Sequence, residues 1–310
     1  MRKYLGPLLV VMVLLVLLEV VARLELISVY NRSFDSSLIV DNKYFTSSGL
    51  SENASGMVWG KPFHTDQFSC RKSSVSYSAK KKKWLFIGDS VTEGVGVDDS
   101  STFAALVAKR VDSFNVMNYS LIGYSDADYL NVLKSLLATG DTSIGKVTIF
   151  FCLNDVYGPA KSSSLPVMAK SNWIGRLNGL MQSSYATYKL LKLYVFQNSG
   201  RYFKYDEQFY DESNSYFIAS MQYLKQCDSV CRASGIKLQV VMMPYKTQFA
   251  GRRKPQLLVG DFCNKQHIDF RDVLDFKALS GFGKDLYLFA DEIHFSEAGH
   301  KMIADYILSH

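Results

Sequence analysis

A chain of 310 residues, 48% hydrophobic and 21% charged, has enough apolar side chain for one large α/β domain plus an appendage, and too little for two such domains. Its formal net charge of +6 is scattered along the sequence with no nucleic-acid motif beside it. Nucleic acid is therefore excluded as an expected partner, and a modest attraction to anionic surfaces is all that the charge supports.

After Arg2 and Lys3, Leu5 to Val21 is a run of seventeen residues with one charge, Glu19, close to its end. At 1.5 Å per residue the run covers about 26 Å, slightly short of a hydrocarbon core of ~30 Å, so flanking residues or local thinning must supply the rest. No clean small-x-small site follows it, V-V-A-R at Ala22 being a poor one. Residues 1–24 are therefore expected to be an uncleaved membrane anchor, with a cleaved signal peptide as the alternative. The two early cations put the N-terminus in the cytoplasm and the remaining chain outside it, periplasmic in a bacterial cell. Residues 25–62, rich in Ser and Asn without a sustained period, read as a stalk, and the first ordered strand or turn is expected near Phe63–Arg71. Asn31 and Asn53 open glycosylation patterns, which matter only in a host that uses them. Lys80–Lys83 reads as a solvated strand entrance.

Trp84 to Gly94, W-L-F-I-G-D-S-V-T-E-G, is a buried strand that breaks into a polar turn, and Gly88 is expected to let the backbone turn sharply there. Ser90 then stands at the carboxyl edge, where open α/β sheets bind ligands. Ser100 or Ser101 is expected to cap a helix, and Phe114–Asn118 forms a second strand leading to Gly123. A helix over Ser125–Leu137 and a strand over Lys146–Leu153 follow. Val156 to about Tyr216 holds many aromatics and lysines. Within it Tyr185, Tyr188, Leu191 and Val195 lie near helical spacing, as a lid over substrate or membrane, or as a helix packed on the core. Tyr216–Gly235 is helical, Lys237–Pro244 a strand, Gln256–Gln266 a helix and Ile268–Phe270 a short fifth strand. Strands alternating with helices argue a parallel sheet. Among five cysteines, Cys263 has Cys227 or Cys231 as possible disulfide partners, and an odd count leaves one thiol free.

A serine in a turn is by itself only a turn residue or a cap. Asp291 and His294 change its meaning, because a spacing of three on a turn puts a carboxylate beside an imidazole and fixes the tautomer that takes a proton from serine. Glu297 and His300 offer a competing pair, ascribed instead to a helix capped by Ser296. A metal site from Asp291, His294 and His300, and a Cys152 nucleophile, are the rival chemistries; Cys152 ends an apolar strand, where cysteine is usually a small hydrophobe.

Four blocks in order, Gly88-Asp89-Ser90 with Thr92, Glu93 and Gly94, then Gly123, then Asn154-Asp155, then Asp291-x-x-His294, resemble the GDSL or SGNH hydrolases, a family of serine esterases and acyl-transfer enzymes. The resemblance runs from Trp84 to the C-terminus. It implies a three-layer α/β/α, flavodoxin-like fold with a mostly parallel five-stranded sheet over 63–310, interrupted by an insertion at 156–216. It also implies Ser90, Asp291 and His294 as the catalytic residues, the backbone N–H groups of Ser90 and Gly123 and the amide of Asn154 as the oxyanion hole, and neither cofactor nor metal. Cys152 stands where the family usually has glycine, so altered packing is expected beside the site. The expected activity is hydrolysis of acetyl or short acyl esters on an exported polysaccharide or glycan. Acyl transfer onto such glycans, a lipid esterase and a non-catalytic glycan binder are the alternatives.

Overall fold

The computed structural model describes residues 2–23, 32–158, 186, 200–276, 286–288 and 291–309. Helix α1 (Arg2–Arg23) carries the N-terminal apolar run. Among the described residues no helix is long and apolar enough to cross a membrane, the continuously described side chains of α1 being only those at 6–21. The expected Tyr185–Val195 helix lies outside the described residues, Ala186 apart.

The segment expected as a stalk instead folds, from residue 32 onward, into two antiparallel hairpins. Strand β1 (Ile39–Tyr44) pairs with β2 (Ser47–Leu50), and β3 (Ser55–Val58) pairs with β4 (Lys61–His64). Leu38, Tyr44, Leu50, Val58 and Phe63 are buried in the same core as the sheet residues. Their apolar positions are too sparse to show a period in sequence, yet each is covered once the hairpins dock. The second hairpin turns through Trp59 and Gly60, both at positive φ (50° and 73°). Two-residue hairpin turns with both central φ positive normally take Asn-Gly or Asp-Gly. A bulky aromatic there costs about 1–2 kcal/mol of backbone strain.

The domain is built on a five-stranded sheet of order β6-β5-β7-β8-β9, every neighbouring pair parallel: β5 (Lys82–Gly88), β6 (Phe114–Asn118), β7 (Ile144–Phe151), β8 (Leu238–Met242) and β9 (Asp269–Asp272). Helices flank the sheet in a three-layer arrangement, as expected. Helix α2 (Ser90–Glu93) follows β5 directly, and α3 (Phe103–Ala108) follows it in chain order. Helix α3 is capped by Thr102, whose hydroxyl accepts from Ala105 N–H at 3.2 Å, and not by Ser100 or Ser101. Helix α4 (Asp126–Ala138) opens on a capping box between Ser125 and Asp128. After α5 (Arg201–Glu207) come α6 (Ser215–Ala233), which packs on α4, then α7 (Lys254–Lys265), and finally α8 (Glu297–Ser309), which packs on α3. The described end of the insertion is core: Phe203, Phe209 and Tyr210 are buried, and Tyr210 donates to Leu153 O at 2.8 Å. All five cysteines are buried free thiols, so the Cys263 disulfide does not form.

Gly88 is needed for space and not for its backbone freedom. A Cβ at this position would stand 2.2 Å from Thr92 Oγ1, whereas the left-handed residue that ends α2 is Gly94 (φ 84°). Gly88→Ala is expected to destabilise the protein by about 1–3 kcal/mol through overpacking. Urea denaturation checks this, and an unchanged midpoint would contradict the close approach of the Thr92 side chain.

Candidate active site

Strand β5 is apolar throughout its buried length and delivers Asp89 and Ser90 to the carboxyl edge of the sheet. Asp89 caps α2, its Oδ1 accepting from Val91 N–H at 2.9 Å. Ser90 is thereby held with its hydroxyl 2.9 Å from His294 Nε2. His294 Nδ1 lies 2.9 Å from Asp291 Oδ2, and Asp291 Oδ1 accepts from the backbone N–H groups of Ile293 (2.7 Å) and His294 (3.0 Å). A ring nitrogen facing a carboxylate carries the proton, so Nε2 is left to accept from the Ser90 hydroxyl. The three residues that the family resemblance implies as catalytic thus form one chain of hydrogen bonds.

Burial pushes the Asp291 carboxyl up, but the charge and hydrogen bond of His294, followed by Arg32, outweigh it and hold the group well below the usual carboxylate range. Arg32 Nη2 stands 3.0 Å from Asp291 Oδ2. Its guanidinium lies 4.7 Å over the ring of Trp59, and that ring meets the His294 imidazole edge-on at 4.5 Å. Sequence reasoning missed both residues. Arg32 carries no local signal, and Trp59-Gly60 is a hairpin turn without the usual Asn or Asp.

Asn154 is the second residue of the short 3₁₀ turn (Leu153–Tyr157) after β7. Its amide donates to Asp89 Oδ2 at 3.3 Å, and its Oδ1 accepts from Tyr245 at 3.2 Å. Among the described residues, no hydrogen bond is made by the second amide hydrogen of Asn154 or by the backbone N–H groups of Ser90 and Gly123. Gly123 adopts φ 84° in the loop after β6, which is anchored by Ile122 N–H donating to Glu93 Oε2 at 2.8 Å.

The rival residues have other duties. Cys152 is buried, and burial pushes its thiol well up, so it is not poised as a thiolate. Its N–H donates to Asp155 Oδ2 (2.7 Å), an oxygen that also accepts from Tyr129. His300 is buried against Phe103, and its Nδ1 accepts Phe103 N–H at 3.2 Å, which ties α8 to the start of α3. A cavity of ≈ 390 Å³ beside β6, lined in part by Phe68, Tyr77 and Asn115, contains none of the residues above and lies apart from Ser90.

The model of the GDSL-like lipase/acylhydrolase family matches residues 85–307. The chain belongs to that family. The solved structures similar to this chain are of low identity. TesA is 19% identical, with 74% of this chain and 97% of that one covered at a TM-score of 0.46. A lipolytic G-D-S-L protein from Veillonella parvula is 13% identical, with 74% and 97% covered at 0.46. An acetylxylan esterase from Geobacillus stearothermophilus, solved as a catalytic mutant, is 15% identical, with 76% and 95% covered at 0.46. No curated protein matches the sequence. Family membership gives the coarse activity, hydrolase chemistry of the GDSL type.

Buried acids around the site give the molecule a definite pH response. Burial, the leading cause at each, pushes Glu93 up to about 8 and Asp126, Asp206 and Glu292 up to about 7. A carboxyl raised on folding stabilises the native state fully below its unfolded value, and that stabilisation is lost as pH rises through the folded one. His300, which burial lowers to about 3, has the opposite sign as pH falls, but it is one group against four. Melting temperature is therefore expected to be higher at about pH 5 than at about pH 8. Calorimetry showing no change, or a rise from pH 5 to pH 8, would count against these upward shifts.

Proposed function

We propose that the chain is a serine esterase that removes acetyl or short acyl groups from an exported glycan. The observation that carries the chemistry is the hydrogen-bonded series Ser90–His294–Asp291. Ser90 Oγ attacks the ester carbonyl while His294 Nε2 takes its proton. The alkoxide leaves with that proton, and water repeats the exchange to release the carboxylic acid and restore the serine. Asp291 keeps the imidazole oriented and stabilises its charged form. The oxyanion meets the N–H groups of Ser90 and Gly123 and the amide of Asn154, each such donor being worth about 3–4 kcal/mol in the transition state.

The glycan and the location rest on Leu5–Val21, read as a single anchor that holds the site outside the cytoplasm, where glycans are finished. The protein is expected to keep its N-terminus and to remain with membranes through a high-salt wash. N-terminal sequencing that starts after Ala22 would remove the anchor.

The purified protein offered an acetylated glycan, a short-chain aryl ester and a phospholipid is expected to deacylate the first two. Release of fatty acid from the phospholipid alone would replace the glycan reading with a lipid one. Ser90→Ala and His294→Ala should each abolish turnover, and Asn154→Ala should lower kcat about a hundredfold with little change in KM. Cys152→Ser should retain most activity. Loss of activity in Cys152→Ser beside full activity in Asn154→Ala would overturn the oxyanion assignment.

A further inference from the structure

The N-terminal ribbon reaches the triad through two residues for which the mechanism above has no use. Residues 33–35 run antiparallel to the end of β3: Phe34 bridges Val58, Asp35 N–H donates to Met57 O (3.1 Å) and Trp59 N–H donates to Ser33 O (2.8 Å). This pairing fixes Arg32 beside the hairpin tip. Trp59 occupies that tip at φ 50°, a conformation that bulky side chains avoid. Strain of this kind persists only where surrounding structure imposes it, and it clusters at functional sites. Here the strained residue is the one whose ring meets both the Arg32 guanidinium and the His294 imidazole.

We propose that Arg32 and Trp59 are positioning residues that clamp the Asp291–His294 pair, so that the N-terminal ribbon is a working part of the active site. Asp291 Oδ2 is shared between His294 Nδ1 and Arg32 Nη2. With Arg32 in place the carboxylate cannot swing away from the imidazole without losing an ion pair. Trp59 limits rotation of the imidazole from its other side, its indole also packing toward Gly96, where an added Cβ would lie 3.7 Å from Trp59 Cε3. Arg32 stands nine residues beyond Arg23, the last residue of α1. At a reach of about 3.3–3.6 Å per residue, the clamp lies within roughly 30 Å of that helix end along the chain.

The clamp rests on the serine-esterase reading, so its test uses a signal that separates the two. In full-length protein, the rate at which a fluorophosphonate labels Ser90 is measured together with kcat and KM on a short-chain aryl ester. The variants are Arg32→Ala, Arg32→Lys and Trp59→Asn. Asparagine tolerates positive φ and keeps the hairpin turn. Arg32→Ala and Trp59→Asn are expected to slow labelling and lower kcat by about ten- to a hundredfold, with KM nearly unchanged. Arg32→Lys should fall less. Added guanidinium should restore part of the rate to Arg32→Ala and none to Trp59→Asn, a rescue that a merely structural role does not give. Wild-type labelling in both variants, or a raised KM at unchanged kcat, overturns the clamp. If wild-type protein labels no better than Ser90→Ala, the esterase reading fails and takes the clamp with it.

Discussion

The site depends on one buried carboxylate. Asp291 is 3% exposed, and both of its oxygens are engaged: Oδ1 accepts from the Ile293 and His294 N–H groups, and Oδ2 faces the His294 ring nitrogen and forms an ion pair with Arg32. A charge taken out of water is costly unless its hydrogen-bonding capacity is filled. Filling it here requires the last loop of the domain to fold back on itself and the N-terminal ribbon to dock beside it. Two ends of the chain are therefore brought together by the same acid that orients the base.

The neighbouring acids show what happens without such partners. Glu93, Asp126, Asp206 and Glu292 are also buried, and burial drives each up toward or past neutrality. They act through the hydrogen bonds they accept. Glu93 holds the loop that carries Gly123, and Asp206 accepts from Tyr245 (2.6 Å) and Tyr157 (3.1 Å). Tyr245 in turn donates to Asn154 Oδ1, so the amide expected at the oxyanion is backed by a hydrogen-bonded series that runs through Tyr245 to Asp206.

Much of this was legible in the sequence, and for identifiable reasons. The strand Phe114–Asn118 was placed to the residue, and the other sheet strands to within a few residues, because they are short apolar runs ended by turn residues. Ser90, Asp291 and His294 could be named together because the four blocks of the family resemblance single them out over the competing pair Glu297 and His300, and the structure brings the three into one hydrogen-bonded series. The ribbon at 32–64 was not, since its few buried residues are separated by polar ones that face solvent, and its long-range partners leave no local period. Arg32 was hidden for the same reason. Its meaning lies in a contact with a residue some 260 positions away, and a lone arginine after an apolar helix reads as an ordinary flank.

The substitution at 152 is explained by the backbone. The family resemblance leads one to expect glycine there, and glycine is required where φ is positive or where a side chain has no room. Cys152 sits at φ −98° and ψ 157°, extended geometry open to any L-residue. Its side chain is 1% exposed and joins the core, so the available space is filled. What fixes the turn is the next pair along. Asp155 accepts the Cys152 N–H and the Tyr129 hydroxyl on one oxygen, and its own N–H donates back to Cys152 O at 3.1 Å. The strand end is thus closed by Asp155, and Asn154 is presented at the edge of the sheet whatever small residue stands two positions before it. The turn is thus held by the residues that make hydrogen bonds, while Cys152 contributes a buried side chain to the core.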